Sequence, residues 1–461
     1  MTRDASLNPL LVLADWAATP RRFSTLARSR AVDAIADTLA CMAAGRCDEV
    51  VEALRKAFAI SAADRGVASV VGGGRVMPGL AALVNGTAAH ALDYDDNFRP
   101  ARSHASAVLV PALLAAAEHG AAPDRDVVDA YIIGLEAQAY IGRGLDNAHY
   151  RAGWHPTGTV AAIGSAVGTG WLMGLDASGL AAAASNAVSM AAGLKVQFGT
   201  AMKPVHSGLG ARAGVEAAML AMAGIAGSAD ILDHPAGFRA LYGGRDTPGW
   251  DGILPGAPLA IESDGLVPKL FPCCGSTHWA LDMLLDLRRQ HGFAANEVAR
   301  IEVELGQANF DNLPYRLPQD EMQARFSMPY CLALALLQDQ LTLTDFTREA
   351  VARSDVRALL GLTTMRVNDT GPDGQALSGV PHRLHLTLKD GTVHSAERKE
   401  VRGSIYEPFS HAEKRGKFIS CLALGGVGAD VADLLYDRLI TLGQGGDLMP
   451  AEIISCLAPP A

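Results

Sequence analysis

From Ser24 to Leu241 the chain repeats one texture, Ala/Leu-rich runs of helical period separated by Gly, Pro or Asp breaks, and a bundle of packed helices is the fold this texture permits. The runs fall at Ala31–Ala44, Gly79–Leu92, Ala107–Gly120, Asp126–Ile141 and Gly208–Gly224. Two further stretches, Thr157–Leu175 and Ser178–Leu194, contain no charge but are rich in Ala, Gly, Ser and Thr. Small residues of this kind suit buried helices packed at close range better than a membrane span. A short strand candidate, Ala68–Val71, runs into Gly72-Gly73-Gly74, which reads as a turn.

After the Pro/Gly-rich stretch Thr247–Pro258 the texture changes. Alternation of β type appears at Arg300–Leu305 and around Leu384–Leu388, and Lys389-Asp390-Gly391 reads as a hairpin turn. Helical pattern persists at Trp279–Arg289 and Ser327–Leu337, then returns at His411–Leu424 and Ala429–Leu442 across the break Gly425-Gly426. A chain of 461 residues exceeds what one core normally supports. The expected fold is mainly α: a large all-helical domain, discontinuous over 1–265 and 403–461, plus a smaller α/β (α+β) domain over 266–402 with an antiparallel sheet.

Net charge and cysteine spacing remove several function classes. A formal charge of −10 argues against nucleic acid or an anionic membrane surface as partner, since a diffuse negative field repels phosphate. Met1 to Pro20 carries Asp4 and Asp15 and lacks the basic-then-apolar order of a secretory signal, so a cytoplasmic location is expected. The seven cysteines form no regular framework, and the only close pair is the adjacent Cys273-Cys274. Neither an iron–sulfur thiolate set nor a zinc motif is present, so neither metal nor cofactor is expected.

Chemistry concentrates in polar islands within apolar sequence. They are His90-Ala91-Leu92-Asp93-Tyr94-Asp95-Asp96-Asn97, Arg102-Ser103-His104, His149-Tyr150-Arg151-Ala152-Gly153-Trp154-His155-Pro156-Thr157 and Lys203-Pro204-Val205-His206-Ser207. A fifth, Lys269-Leu270-Phe271-Pro272-Cys273-Cys274-Gly275-Ser276-Thr277-His278, opens the smaller domain. Moving a proton next to a carboxylate needs a base near neutrality, a proton donor and cations that hold carboxylates, and His, Lys, Tyr and Asp cover those roles without metal.

Plainer readings exist for each island. Asp93, Asp95 and Asp96 also suit a solvated helix end, while Arg99 and Pro100 break the ligand spacing of a calcium loop. His155-Pro156-Thr157 also suits a helix start. Lys203 also reads as an ordinary surface lysine, although its apolar setting between Phe198 and Gly208 points to partial burial. Gly208-Leu209-Gly210-Ala211-Arg212-Ala213 satisfies the loose dinucleotide pattern but lacks the preceding strand, so its glycines read as helix-packing positions. Adjacent cysteines suit inert packing as well as a nucleophile.

Five motifs in this order resemble the MmgE/PrpD family: His90-Ala91-Leu92-Asp93-Tyr94-Asp95-Asp96, Gly153-Trp154-His155-Pro156-Thr157, Lys203-Pro204-Val205-His206, Lys269-Leu270-Phe271-Pro272-Cys273-Cys274 and Phe326-Ser327-Met328-Pro329-Tyr330-Cys331. The resemblance spans nearly the whole chain. It implies a helical domain with a smaller α/β lid, a homodimer, and an active site in the interdomain cleft. It further implies cofactor-free dehydration, decarboxylation or epimerisation of a compact polycarboxylate of the methylcitrate, cis-aconitate or iminodisuccinate kind.

By matching motif, Asp93, His104, His155, Lys203 and Lys269 are expected to line that cleft. Tyr150 resembles a proton-transfer residue of the epimerase branch. His155 or Tyr150 is expected to exchange a proton beside a carboxylate, His104 to serve the departing group or opposite face, and Asp93 to orient a neighbour. Lys203 and Lys269 are expected to hold carboxylates, with His90, Asn97, Arg102, His206 and Cys274 as further substrate contacts. The motifs depart from the family at Ala105 after His104, where Pro is usual, and at Asn97, where Thr is frequent. Cys274 stands near the position where the decarboxylase branch is expected to carry a histidine, which argues against decarboxylation; the expected activity is that of a 2-methylcitrate dehydratase-like hydro-lyase, with an epimerase of an iminodisuccinate-like acid or a cis-aconitate-type decarboxylase as the alternatives. A carboxylate-binding protein without catalysis is the rival of a different class; it needs cations but no paired acid and base.

Overall fold

The computed structural model describes residues 8–120, 126–244, 247–368, 381–442 and 450–457. The chain divides into two compact units, the first comprising Met1–Val196, Met202–Pro268 and Ser410–Ala461, the second Gln197–Ala201 and Lys269–Phe409.

The first unit is built on α1 (Pro9–Ala18), α2 (Thr25–Gly45), α3 (Glu49–Ala57), α4 (Pro78–His90), α5 (Ala105–Gly120), α6 (Val127–Arg151), α7 (Val160–Leu172), α8 (Ala177–Val188) and α9 (Met202–Met222). Its helices begin where short polar side chains satisfy the exposed amides: Asn8 Oδ1 accepts from Leu10 and Leu11 N–H, Asp126 from Asp129, and Asp176 from Gly179. α7 is buried at every position, as expected of a helix apolar all round. No described helix is long and apolar enough to cross a membrane.

α4 and α9 pack backbone to backbone. A Cβ on Gly208 would lie 2.1 Å from the Leu83 carbonyl oxygen, and one on Gly86 would lie 3.0 Å from the Gly208 Cα. Glycine at both positions is therefore what brings the C-terminal end of α4 and the start of α9 together. Lys203–His206 lies inside the first turns of α9, so the glycine-rich pattern after it sits mid-helix and cannot be a strand-to-helix phosphate loop. The helical unit also holds a short antiparallel hairpin, β1 (Ala68–Ser69) with β2 (Arg75–Val76), joined through Gly72–Gly74, all three with positive φ. The helices His411–Leu424, started by a Ser410–Glu413 capping box, and Ala429–Ile440 belong to this unit as well.

The second unit carries a four-stranded sheet in the order β4 (Thr363–Val367), β3 (Val298–Leu305), β5 (His382–Leu388), β6 (Val393–Arg398). Ile301 and Val303 of β3 face Leu386 and Leu384 of β5, all buried, and the helix His278–His291 packs its Leu281 and Leu284 into the same core. Lys389-Asp390-Gly391 turns β5 into β6, with Asp390 Oδ1 accepting from Thr392 N–H and Gly391 at φ +91. The sheet is mixed rather than antiparallel throughout, because β4 runs parallel to β3. The intervening chain crosses through several helices, Met328–Leu337 the longest, and a crossover of this kind returns a strand in its original direction.

Candidate active site

The segment joining α4 to α5 carries most of the site, and its backbone is tightly pinned. Asn97 exchanges backbone hydrogen bonds with Val267, and Phe98, fully buried, exchanges them with Ser103. Asp93 (φ 50) and Arg102 (φ 53) both adopt the left-handed conformation that non-glycine residues seldom hold. Backbone cost of this kind concentrates at functional sites, where the surroundings enforce the conformation.

Asp93 faces the first turn of α9. Lys203 Nζ donates to Asp93 Oδ1 at 2.6 Å, and both side chains are 5% exposed. His104 Nε2 lies 3.9 Å from the same oxygen. His104 Nδ1 sits 2.9 Å from the Asp96 carbonyl oxygen; a carbonyl only accepts, so this nitrogen carries the proton in the neutral ring and Nε2 presents a lone pair. The His104 backbone N–H donates to Thr157 Oγ1 at 3.1 Å. His90, the last residue of α4, places Nδ1 at 2.8 and 3.0 Å from the two oxygens of Asp95.

His155 follows the end of α6, and its N–H donates to the Gly193 carbonyl at 3.0 Å. Its Nδ1 meets His206 Nδ1 at 3.1 Å. The rings of His90, His104 and His155 gather closely, with centroids 4.2 Å apart for His90–His104 and 6.2 and 6.3 Å for the other two pairs.

Burial sets the protonation of this group. Burial, with the positive charge of Lys203 added, holds His155 well below the ordinary imidazole value. Burial likewise takes His90 to about 3 and His206 to about 4. Asp95 would be raised by burial, yet His90 and His104 hold it well below the carboxylate range. Asp96 moves the other way, to about 7, because burial outweighs its hydrogen bonds from Ser106. Ser106 Oγ in turn meets Tyr131 Oη at 2.6 Å.

Of the residues expected from sequence, His90, Asp93, His104, His155, Lys203 and His206 are thus linked by direct contacts within one unit. Asn97 contributes its backbone to the pinned loop. Tyr150, at the end of α6, lies beneath Lys195, whose Nζ is 3.5 Å from the ring centroid, and it neighbours Arg102, a guanidinium lowered by burial and supported by Asp146. Lys269 and Cys274 belong to the second unit, where the Cys274 N–H donates to the Arg325 carbonyl at 2.9 Å. His149 has a packing role: Nε2 meets Thr159 Oγ1 at 2.8 Å, and the ring stacks on Trp154.

Sequence reasoning gave no role to Asp95, Asp96, Ser106 or Lys417. The first two stand inside a quoted motif, so the signal was present. Lys417, on the helix His411–Leu424, donates to the Tyr94 carbonyl at 2.8 Å, lies 4.1 Å above the Tyr94 ring and pairs with Asp37 at 2.7 Å. Nothing in local sequence announces that contact.

Clustered imidazoles, a lysine and carboxylates on a helical scaffold are the groups that acid–base catalysis uses. The chain belongs to the MmgE/PrpD family: residues 12–251 match its N-terminal domain and residues 271–433 its C-terminal domain. The chain is similar to the cis-aconitate decarboxylases of Mus musculus, 30% identical over 360 residues covering 75% of this chain and 72% of the relative, and of Homo sapiens, 30% over 356 residues with the same coverage. A cis-aconitate decarboxylase of Aspergillus terreus is 26% identical over 418 residues, 85% of this chain and 84% of that protein. Lyase-type chemistry follows from this kinship.

Proposed function

We propose that the chain is a lyase that removes a proton from the carbon next to a carboxylate of a compact polycarboxylic acid and expels water from the neighbouring carbon. The observation that carries this reading is the clustering of the His104 and His155 imidazoles against the Asp93–Lys203 pair. Neutral His155 takes the α-proton, and the C–H electrons form the double bond as the C–O bond breaks. The departing hydroxyl leaves as water with the Nε2 proton of His104, which acts here in its imidazolium form beside Asp93 and Asp95, the exchange of roles between the two rings being allowed by the reverse reaction. Lys203 holds a substrate carboxylate, and Asp93 orients the ammonium that does so. Tyr150, with Arg102 and Lys195 beside it, is the alternative proton carrier. The active form is proposed to be a homodimer; a monomer in sedimentation at micromolar concentration removes that part.

Decarboxylation is the second reading, favoured by the names of the curated relatives. Cys274, near the position where a histidine is expected in that branch, speaks against decarboxylation. Proton NMR in deuterium oxide with citrate, methylcitrate, cis-aconitate, itaconate and iminodisuccinate-type acids tests both. An alkene formed from a hydroxy acid supports dehydration. Loss of a carboxylate from cis-aconitate supports the second reading, and α-deuteration without net change points to epimerisation. No exchange with any acid overturns the proton-transfer reading for this substrate class.

A further inference from the structure

We infer that His90, His104 and His155 form a binding site for a zinc-, copper- or nickel-class divalent ion, and that an ion held there blocks the acid–base chemistry. One ligand nitrogen from each ring lies within 4.8 Å of the other two. Tetrahedral zinc with bonds of about 2.0–2.1 Å needs nitrogens about 3.3 Å apart, so side-chain rotations closing about 1.5 Å bring the three into range. His90 is fully buried, and its Nε2 has no hydrogen-bond partner among the described residues.

The surroundings match those of a bound imidazole set. A metal-binding histidine usually donates its second ring nitrogen to a carboxylate or carbonyl, which fixes the ring and raises its basicity. His90 does so to Asp95, and His104 to the Asp96 carbonyl with Asp95 Oδ2 at 3.2 Å. Asp93 and Asp95 supply the negative charge a cation requires, while Asp93 itself is engaged by Lys203. Three imidazole nitrogens favour zinc, copper or nickel over magnesium or calcium, whose preferred ligands are oxygens. The ion and the reaction exclude each other, because coordination occupies the ring nitrogens on which His104 would carry its proton and His155 would accept one.

The test is calorimetric titration of zinc chloride into the full-length protein, stripped with EDTA and dialysed into a non-chelating buffer, with no polycarboxylate present. Binding is thereby read independently of the proposed reaction, and it stands or falls whatever the substrate proves to be. One equivalent per chain is expected, with micromolar or tighter affinity. His104→Gln is expected to weaken binding at least about tenfold, and Asp95→Asn, which removes the outer carboxylate, about 10–100-fold. Circular dichroism establishes that each variant is folded, and cobalt(II) in place of zinc is expected to give the visible absorption of a nitrogen-ligated ion. His291 and His394 of the second unit, whose rings stack with centroids 3.9 Å apart, are the competing surface ligands, and His291→Gln with His394→Gln is expected to leave the titration unchanged. The inference is overturned by absence of stoichiometric binding, by affinity unchanged in folded His104→Gln and Asp95→Asn, or by loss of binding in the surface double variant.

Discussion

Lys203 and Asp93 show what a single contact does at this site. Each charge is buried, so each depends on the other for compensation. Lys203→Met is expected to cost about 3–5 kcal/mol of unfolding free energy in denaturant titration, because it leaves a buried carboxylate without that ammonium. Adding Asp93→Asn to Lys203→Met is expected to recover stability without recovering turnover. A single variant as stable as the parent would mean that the pair adds nothing to the fold. The histidines give a second prediction. Burial and Lys203 depress His155, so as pH falls through 6.5 the ring stays neutral and remains a base. The acid-side decline of kcat/KM is therefore expected below pH 6.5, and a decline centred at or above that value contradicts the assignment.

Among the elements, the α4–α9 contact does most to build the site, since it joins the island ending at His90–Asp96 to the one at Lys203–His206. Gly208→Ala puts a methyl group within about 2 Å of the Leu83 carbonyl, where only backbone movement relieves the clash. Lower thermal stability and reduced activity together are expected; full activity would show that the spacing of these helices is not critical. The islands were legible because each places its functional groups within a few residues, at a helix end or in the following turn. Close helix packing at Gly208 was legible for the same reason. Lys417 was not: it reaches Tyr94 across 323 residues, and its lysine and the aspartate at 37 look like ordinary polar positions on amphipathic helices. The parallel β3–β4 pair was hidden too, since alternation along a strand records which face is buried and not the direction of its neighbour.

Across the whole molecule, buried histidines couple folding to protons in both units. His382 in the second unit stacks on Trp279 with centroids 4.4 Å apart, its Nε2 meets Asn309 at 3.1 Å, and burial takes it to about 4. The unfolded chain takes up a proton there as pH falls through 6.5, whereas the folded one does so only near 4. In that window the unfolded state holds more protons, so this residue's contribution to stability is present above pH 6.5 and declines as pH falls toward 4. His382→Gln is expected to flatten the acid side of the stability profile by up to one proton, about 1.4 kcal/mol per pH unit, in chemical denaturation from pH 7 to 4.5. An unchanged slope would mean that the ring titrates alike in both states.

The most direct measurement for the function is α-proton exchange followed by proton NMR in deuterium oxide, comparing the parent with His155→Gln and His104→Gln on hydroxy-polycarboxylates and cis-aconitate. Exchange coupled to alkene formation in the parent, abolished in both variants while they remain folded, is the expected result. Exchange that persists undiminished in both variants would contradict the assignment of proton transfer to this histidine cluster.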